Sequence, residues 1–212
     1  MVTAVVGAGG KTTLIHALTA RHRAAGRSVL VTTTTHMRRE PGMLLNPTPE
    51  QLTAALKTAG YAAAGVPAAE GKIGPLPREV YLAGCAAADE VLVEADGARG
   101  RFVKLPAPHE PVIPACAGQT VDVVGADGFG RPIAEVCHRP ERYAAICGAA
   151  LTDIVTPAMA AQVLLAEGYG GGWVYVNKVE TPRDRANAAA LAAALPGTVV
   201  AGSLHRREYQ VY

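Results

Sequence analysis

The segment at positions 7–13 contains the residues whose types and spacing most clearly predict chemistry, and it reads Gly-Ala-Gly-Gly-Lys-Thr-Thr. An apolar run precedes this segment and an amphipathic helical pattern follows it. Strand, glycine loop and helix in this order are typical of a phosphate site, because glycines let backbone N–H groups surround phosphate oxygens and the helix N-terminus adds partial positive charge. In such a site Lys11 contacts the terminal phosphates and the Thr12 hydroxyl holds Mg²⁺. The predicted nucleotide-binding residues are Gly7, Ala8, Gly9, Gly10, Lys11, Thr12 and Thr13.

This loop departs from the usual phosphate-binding loop, G-x-x-x-x-G-K-[ST], because Val5 and not glycine lies six residues before Lys11. The pattern present is G-x-x-G-K-T-T, which is two residues shorter. That shorter form resembles the loop of the Mur ligases and folylpolyglutamate synthases, which also bind ATP phosphates. The alternative to a phosphate-binding loop is a glycine turn beside a solvated lysine, with no binding function.

Two carboxylates follow the third predicted strand, in the sequence VLVEADGARG at positions 91–100. An apolar run that ends in an acid resembles a Walker B strand, whose carboxylate binds Mg²⁺ and orients a nucleophile. If the strand continues, Glu94 and Asp96 project from one face, and a shared metal ion would offset their repulsion. We therefore predict that Lys11, Glu94 and Asp96 are catalytic, and that Thr12, Glu94 and Asp96 hold the metal. A turn that only reverses the chain is the alternative for the Asp-Gly pair.

Further polar residues are expected at the same edge, because the ligand of a parallel sheet lies at the carboxyl ends of its strands. The second predicted strand ends in TTTTH, where Thr34 or Thr35 would order magnesium or a γ-phosphate. The alternative is that these hydroxyls cap neighbouring helices or face solvent. His36 contacts substrate or makes a structural hydrogen bond, and both interpretations stay open. Arg99 is predicted to contact phosphate or an anionic substrate.

The fifth predicted strand ends in the sequence NKVE, which is close to the N-K-x-D element of GTP-binding proteins. In that element the acid accepts hydrogen bonds from guanine, and the lysine stem packs on the base. We therefore predict that Asn177, Lys178 and Glu180 bind the nucleotide. Glu180 occupies the position of the Asp in the N-K-x-D element, and its side chain is one methylene longer. The sequence therefore predicts either ATP or GTP as the bound nucleotide.

Two further segments carry candidate substrate or switch residues. The first, KLPAPHEP, is held extended by prolines and presents His109 and Glu110. The second, CHRP, places His138 and Arg139 before a helix, where an anion can bind. The alternatives are a surface loop for the first segment and a plain helix start for the second.

Apolar runs alternate with helical patterns along the chain, which predicts an α/β protein with a three-layer, P-loop NTPase-like, mostly parallel sheet flanked by helices. The predicted strands are residues 2–6, 29–33, 91–94, 121–124, 173–177 and 198–201. The predicted helices are residues 11–25, 49–58, 78–88, 140–149, 157–167 and 183–195. The Gly- and Pro-rich residues between the second and third strands are interpreted as an elaborated crossover at 37–77, within a single domain of residues 1–212.

The charge balance excludes one class of function. The chain has 20 Lys and Arg against 18 Asp and Glu, a net charge of +2, which does not predict a basic nucleic-acid-binding arm. The sequence has no uninterrupted apolar run of about 18 residues and no signal-like N-terminus, so we expect a cytoplasmic protein without a membrane partner.

The four cysteines are Cys85, Cys116, Cys137 and Cys147, and they form no C-x-x-C pair of the kind found in zinc or redox motifs. We expect them to be buried free thiols. A reactive thiol at Cys137, beside a histidine and an arginine, is the alternative.

The segments GAGGKTT, TTTTHM, VEADGARG, KLPAPHEPVIP, CHRPERY and VNKVE together resemble the selenium-dependent hydroxylase accessory protein family, often labelled YqeC. The resemblance covers nearly the whole chain, and the segments occur in the family's order. It implies a P-loop nucleotide-binding protein that assists the maturation of selenium-dependent molybdenum hydroxylases, through the handling of their cofactor. It also implies a molybdenum hydroxylase, or its cofactor-insertion machinery, as a partner.

Three functions are compatible with these residues. The leading one is an enzyme that cleaves ATP or GTP with Mg²⁺ to activate a small substrate. The second is a nucleotide-controlled assembly switch that binds a hydroxylase or its insertion chaperone and changes shape with the γ-phosphate. The third, an amino-acid ligase related to the Mur enzymes, ranks last because it rests only on the short loop.

Overall fold

The computed structural model describes residues 1–98, 100–107, 109–168 and 173–212, and within it the chain divides into two compact units. Unit 1 contains Met1–Val5, Thr12–Gly97 and Glu110–Thr120, and unit 2 contains Val6–Lys11, Ala98–His109 and Val121–Tyr212. The chain passes from one unit to the other within strand β1 (Val2–Gly7) and again at the first residue of helix α1 (Lys11–Ala24). The single-domain organisation stays a prediction.

Unit 1 is built on a mostly parallel sheet. Its further strands are β2 (Val29–Thr33), β3 (Met37–Arg38), β4 (Leu44–Leu45), β5 (Tyr61–Ala68), β6 (Lys72–Gly74) and β7 (Glu90–Glu94). Within the unit the strand order is β1-β7-β2-β5-β6-β3, with β4 paired to β5. All of these pairings are parallel except those of β6 with β5 and β3. Strands β2 and β7 are buried along their whole length, which explains their near-continuous apolar sequence.

Unit 2 contains a second, mostly parallel set of strands. They are β8 (Val103–Lys104), β9 (Gln119–Gly125), β10 (Cys137–His138), β11 (Trp173–Asn177), β12 (Thr198–Ser203) and β13 (Glu208–Val211). The first two residues of β9 belong to unit 1. The larger sheet has the order β9-β11-β12-β13, and only β13 runs antiparallel to its neighbour. Strands β8 and β10 form a separate parallel pair.

The remaining helices are α2 (Pro49–Ala59), α3 (Arg78–Ala87), α4 (Ile133–Val136), α5 (Pro140–Cys147), α6 (Pro157–Ala166) and α7 (Pro182–Ala193). Four of them, α2, α5, α6 and α7, begin with a proline, which is a sequence signal for a helix N-terminus. The side chains of Thr48, Thr156 and Thr181 each accept a backbone N–H in the first turn of the helix that follows. Each of these threonines precedes a proline, whose missing N–H costs nothing at that position.

Each unit has its own apolar core. In unit 1, Leu30 of β2 packs with Leu52 of α2 and Val80 of α3. In unit 2, Val124 of β9 belongs to one cluster with residues of the four helices α4–α7, including Leu191 of α7. Both cores rest on aliphatic side chains and alanines, which allows helices and strands to approach closely.

The predicted α/β class, with a mostly parallel sheet flanked by helices, is confirmed. Every predicted strand and helix is present, with ends within two residues of the prediction. Strands β3 to β6, β8, β10 and β13 and the short helix α4 were not predicted. Strand β5 reads YAAAGVPA, and alanine, glycine and proline have low strand propensity. Its pairing with β2 and the close contact at Gly65, where an added Cβ would lie 2.7 Å from Ile73 Cδ1, place it in the sheet.

No helix in the described part of the chain is both long enough and apolar enough to cross a membrane.

The cysteines differ in exposure. Cys137 is buried, Cys85 and Cys147 are partly buried, and Cys116 is exposed, with its sulfur 3.4 Å from the Tyr81 hydroxyl. The prediction of buried thiols is therefore wrong for Cys116. The alternative of a reactive Cys137 is also wrong, because burial raises the pKa of this thiol to about 12 and keeps it protonated at neutral pH.

We expect Cys137 to resist iodoacetamide in the folded protein at about pH 8, while Cys116 is alkylated, because only a thiolate reacts. The pKa of Cys137 rises from 9.0 to about 12 on folding, so its protonated thiol favours the folded state below pH 9, and this contribution is lost as the pH rises toward 12. Peptide mass spectrometry measures the two alkylation rates, and the same protein in urea is the control. Equal rates for both cysteines in folded protein would contradict the assignment.

Candidate functional site

The phosphate-loop segment, residues 7–10, has a backbone path that favours glycine at three of its four positions. Gly7, Gly9 and Gly10 have φ angles of 87°, 90° and 134°, in the region that side-chain-bearing residues avoid. A Cβ on Gly9 would lie 2.3 Å from the Gly125 nitrogen, and a Cβ on Gly10 would lie 2.2 Å from Asn177 Nδ2. The glycines therefore supply both the conformation and the close packing of the loop.

Hydrogen bonds fix this segment within unit 2. The Ala8 N–H donates to the Val123 carbonyl at 2.7 Å, and the Gly9 N–H donates to the Arg101 carbonyl at 3.1 Å. These two amides were predicted to bind phosphate, but in this structure they hold the loop in shape. The backbone N–H groups of the first turn of α1 have no partner within the helix, as at any helix start, and they suit an anion better.

Lys11, the first residue of α1, is only 5% exposed. Its Nζ donates to the Gly7 carbonyl at 2.7 Å, so the side chain folds back over the loop. The alternative of a solvated lysine is therefore wrong. A buried ammonium group at the positively polarised end of a helix is electrostatically unfavourable, and a bound phosphate would relieve that cost.

In unit 1, Thr12 and Glu94 form a pair suited to a magnesium ion. The Thr12 hydroxyl donates to Glu94 Oε2 at 3.0 Å, and Glu94, the last residue of β7, is 7% exposed. Both groups are hard oxygen ligands, and Mg²⁺ is usually held by one or two such groups together with phosphate and water. These residues fit the predicted ion. Thr13, the next residue of α1, is exposed.

Asp96 differs from the arrangement that the sequence predicted. Strand β7 ends at Glu94, so the strand alternation that would place Glu94 and Asp96 on one face does not continue. Asp96 is nevertheless completely buried, and the preceding Ala95 N–H donates to the Val5 carbonyl at 3.0 Å. Among the described residues no group of three or more His, Cys, Asp and Glu side chains could enclose a metal ion, so any metal here needs ligands from the nucleotide or water.

The threonines that end β2 support the end of β7. The Thr33 hydroxyl donates to the Glu94 carbonyl at 2.7 Å and accepts the Thr35 N–H at 3.0 Å. The Thr34 hydroxyl donates to the Val112 carbonyl at 2.6 Å. Thr33, which was not predicted as a site residue, is thus the threonine that positions the acid. The sequence signal for Thr33 was its place in the run of four threonines. The run alone does not show which of the four contacts the end of β7.

The residues that end β11 are packed against other parts of unit 2. Asn177 Nδ2 donates to the Gly9 carbonyl at 2.9 Å, which ties the strand end to the loop. Lys178 Nζ lies 2.6 Å from an Asp127 carboxylate oxygen and 4.7 Å from the centre of the Phe102 ring. Asp127 was not predicted as a site residue. It follows the end of β9, and a polar residue at the end of a strand is the signal from which Glu94 was predicted.

The Glu180 carboxylate accepts a hydrogen bond from the Ser203 hydroxyl at 2.8 Å and lies 3.8 Å from the Arg206 guanidinium. A guanine base would therefore have to compete with these partners for Glu180. The predicted role of residues 177–180 in base binding stays a prediction.

The other candidate residues are spread over both units. His36, in unit 1, is exposed and Glu110 is partly buried, whereas His109, in unit 2, is exposed. His138 Nδ1 lies 3.3 Å from Arg139 Nη1, and the same guanidinium donates to the Leu105 carbonyl at 3.1 Å. Arg99 lies outside the described residues.

Comparison with known proteins gives the family. A sequence model of the YqeC protein family matches residues 3–141. The chain is also 35% identical over 161 residues to the protein described as "Uncharacterized protein YqeC" of Escherichia coli strain K12. The chain belongs to the YqeC family. The aligned region covers 69% of this chain and 60% of the length of the E. coli protein.

The YqeC family match includes the phosphate loop, β7 and the segments that hold Lys104 and Arg139. It ends before residues 177–180. The predicted phosphate and metal residues thus lie inside the matched region, and the predicted base residues lie outside it.

We expect Gly9→Ala to lower the affinity for Mg²⁺ and triphosphate by more than about tenfold, because the new Cβ meets the Gly125 backbone and the residue must keep a positive φ. Isothermal titration calorimetry measures the affinity, and thermal unfolding shows whether the variant folds. Gly118→Ala is the matched control, since its Cβ would have no contact closer than 3.8 Å. Equal affinities for Gly9→Ala and wild-type protein would show that the loop path is not needed for binding.

Proposed function

We propose that this protein binds a nucleoside triphosphate with Mg²⁺ at the phosphate loop and cleaves the γ-phosphate, in the cytoplasm. The observation that carries the proposal is the 3.0 Å hydrogen bond between the Thr12 hydroxyl and the Glu94 carboxylate, next in sequence to the buried Lys11. A lysine that neutralises phosphate, a hydroxyl and an acid at a strand end are the groups that phosphoryl transfer requires.

Each residue has a distinct role in the proposal. Lys11 leaves the Gly7 carbonyl to contact the β- and γ-phosphates and offsets their charge. Thr12 and Glu94 hold the magnesium ion, which would neutralise the charge that develops on the phosphate oxygens. Asp96, fully buried beyond β7, orients the water or substrate oxygen that attacks the γ-phosphorus.

The proposal includes ATP and GTP. Asn177 is engaged with the Gly9 carbonyl, so its role is to hold the loop and, through it, the phosphates. Guanine recognition requires Glu180 to exchange its Ser203 hydrogen bond for one to the base, whereas adenine recognition leaves that bond intact.

A second candidate function is a nucleotide-controlled assembly switch. The Thr34 hydroxyl holds the carbonyl of Val112, an exposed apolar residue in unit 1. If Thr34 instead contacts a γ-phosphate or its metal ion, Val112 and its neighbours are released, as in switches that respond to hydrolysis. Slow turnover with strong stimulation by a protein partner would favour this function over small-molecule catalysis.

The wider role in this proposal follows the family resemblance. The protein acts in the maturation of selenium-dependent molybdenum hydroxylases, with a hydroxylase or its cofactor-insertion machinery as the partner. Triphosphate cleavage supplies the energy for handling the cofactor.

We expect Lys11→Ala to reduce Mg²⁺-dependent release of phosphate from ATP or GTP by at least about 100-fold, because charge neutralisation by the lysine is lost in the transition state. A phosphate-release assay on purified full chain measures turnover. Lys57→Ala is the matched control, since Lys57 lies exposed on α2. Turnover by folded Lys11→Ala at the wild-type rate would refute the proposed chemistry.

A further inference from the structure

Two cysteines that are far apart in the sequence meet in unit 1, beside a tyrosine hydroxyl. Tyr81 and Cys85 are about one turn apart on α3, so their side chains lie on the same face of the helix. The Tyr81 hydroxyl lies 3.4 Å from the Cys116 sulfur. The Cys85 thiol interacts with both the Tyr81 hydroxyl and the Cys116 thiol. Tyr81, Cys85 and Cys116 therefore form one group, which we call the dithiol cluster.

Backbone hydrogen bonds hold Cys116 in its place. The N–H groups of Val112 and Gly118 each donate to a carbonyl of unit 1 at 2.9 Å, so the chain is anchored on both sides of the cysteine. Between these anchors the Ala117 N–H donates to the Pro114 carbonyl at 2.9 Å, which closes a turn that contains Cys116. The two members of the cluster on α3 pack against the unit 1 core. The folded chain thus holds the two thiols close together.

The two thiols differ in their access to solvent. Cys116 is exposed, whereas Cys85 is partly buried, and burial raises the pKa of the Cys85 thiol. A reagent from solution therefore reaches Cys116 first, since exposure governs which thiol reacts. Cys85 then lies next to the modified sulfur, where its local concentration is far above that of any free thiol in solution.

The Tyr81 hydroxyl can assist the reaction of these thiols. Burial raises the pKa of Tyr81, so its hydroxyl stays protonated at neutral pH and can donate a hydrogen bond. A hydrogen bond to sulfur favours the thiolate, and the thiolate is the form that attacks a disulfide. For Cys85 the Tyr81 hydroxyl lowers the pKa, although burial has the larger, opposite effect. Tyr81 is therefore a positioning residue for the two thiols.

We infer that Cys85 and Cys116 are a redox pair, which a low-molecular-weight disulfide such as glutathione disulfide converts to an internal disulfide bond. The Cys116 thiolate attacks one sulfur of glutathione disulfide, forms a mixed disulfide and releases the first glutathione. The Cys85 thiolate then attacks the Cys116 sulfur and releases the second glutathione. The cysteines lose two protons and two electrons, and both are gained by the two glutathione molecules.

The inference is independent of the proposed function, because neither cysteine belongs to the proposed phosphate or metal site. In a reducing compartment such a disulfide forms transiently and responds to the redox state. It would join α3 covalently to the chain around Cys116 and restrain that part of unit 1.

The test is incubation of the reduced full chain with glutathione disulfide at about pH 8, where thiolates are available, followed by an acid quench and intact mass measurement. We expect a mass lower by two hydrogens, and a linked peptide that contains Cys85 and Cys116 after digestion. Dithiothreitol should reverse the change. A stable glutathione adduct on wild-type protein without this linked peptide, or two cysteines that stay reduced, would overturn the redox pair.

The variant Cys85→Ser separates the two steps. We expect it to accumulate at least about tenfold more mixed disulfide at Cys116 than wild-type protein, because no second thiol is placed to release the glutathione. Cys147→Ser is the matched control, since it removes a partly buried thiol of unit 2 and should oxidise as wild-type protein does. Equal amounts of mixed disulfide in Cys85→Ser and wild-type protein would contradict the role of Cys85.

Cys116→Ser changes only an exposed position, so it keeps the inference testable if Cys85→Ser does not fold. We expect this variant to leave Cys85 reduced under the same conditions, because the attacking thiol is missing. Oxidation of Cys85 at the wild-type rate in Cys116→Ser would contradict the proposed order of attack.

The variant Tyr81→Phe tests the hydroxyl, and Tyr209→Phe, at an exposed residue of β13, is its control. We expect Tyr81→Phe to shift the pH dependence of disulfide formation to higher pH, because the hydrogen bond that favours the Cys85 thiolate is lost. A purely structural role of Tyr81 would leave this pH profile unchanged, and that result would overturn its role as a positioning residue.

Discussion

The close packing of the glycine loop is the physical constraint on which the candidate site depends. Gly7, Gly9 and Gly10 have positive φ angles, and the space beside Gly9 and Gly10 is filled by the Gly125 backbone and the Asn177 side chain. A side chain at either position would push the loop away from these neighbours. Because the loop is held there, Lys11 starts α1 inside the protein and reaches back to the Gly7 carbonyl. The loop path that the glycines allow therefore accounts for the burial of the Lys11 ammonium group.

Electrostatics then favours a ligand with negative charge and a metal ion. Lys11 is buried at a helix start, where the helix dipole adds to its positive charge. In unit 1 the Glu94 carboxylate has the Thr12 hydroxyl as a partner, and the end of β7 is supported by Thr33. In the proposed function, a triphosphate supplies the anion that suits Lys11, and its magnesium ion supplies a countercharge for the Glu94 carboxylate.

Much of the fold and part of the site were predictable from sequence, for reasons that specific residues show. Strand β7 and the capping box at Thr48 and Gln51 are local patterns, and both are confirmed. Strand β5 was missed because its alanines, glycine and proline have low strand propensity, and pairing with β2 outweighs that preference. Asp127 was missed because its importance arises from its ion pair with Lys178, a residue far away in sequence. Periodicity and local motifs do not report such contacts.

The central claim is that the loop binds a triphosphate with magnesium. Isothermal titration calorimetry of the full chain with non-hydrolysable analogues of ATP and GTP, with and without Mg²⁺, tests this claim most directly. We predict saturable binding of one nucleotide per chain for at least one analogue, with affinity that falls when Mg²⁺ is removed. Folded protein that binds neither analogue in the presence of Mg²⁺ would contradict the central claim.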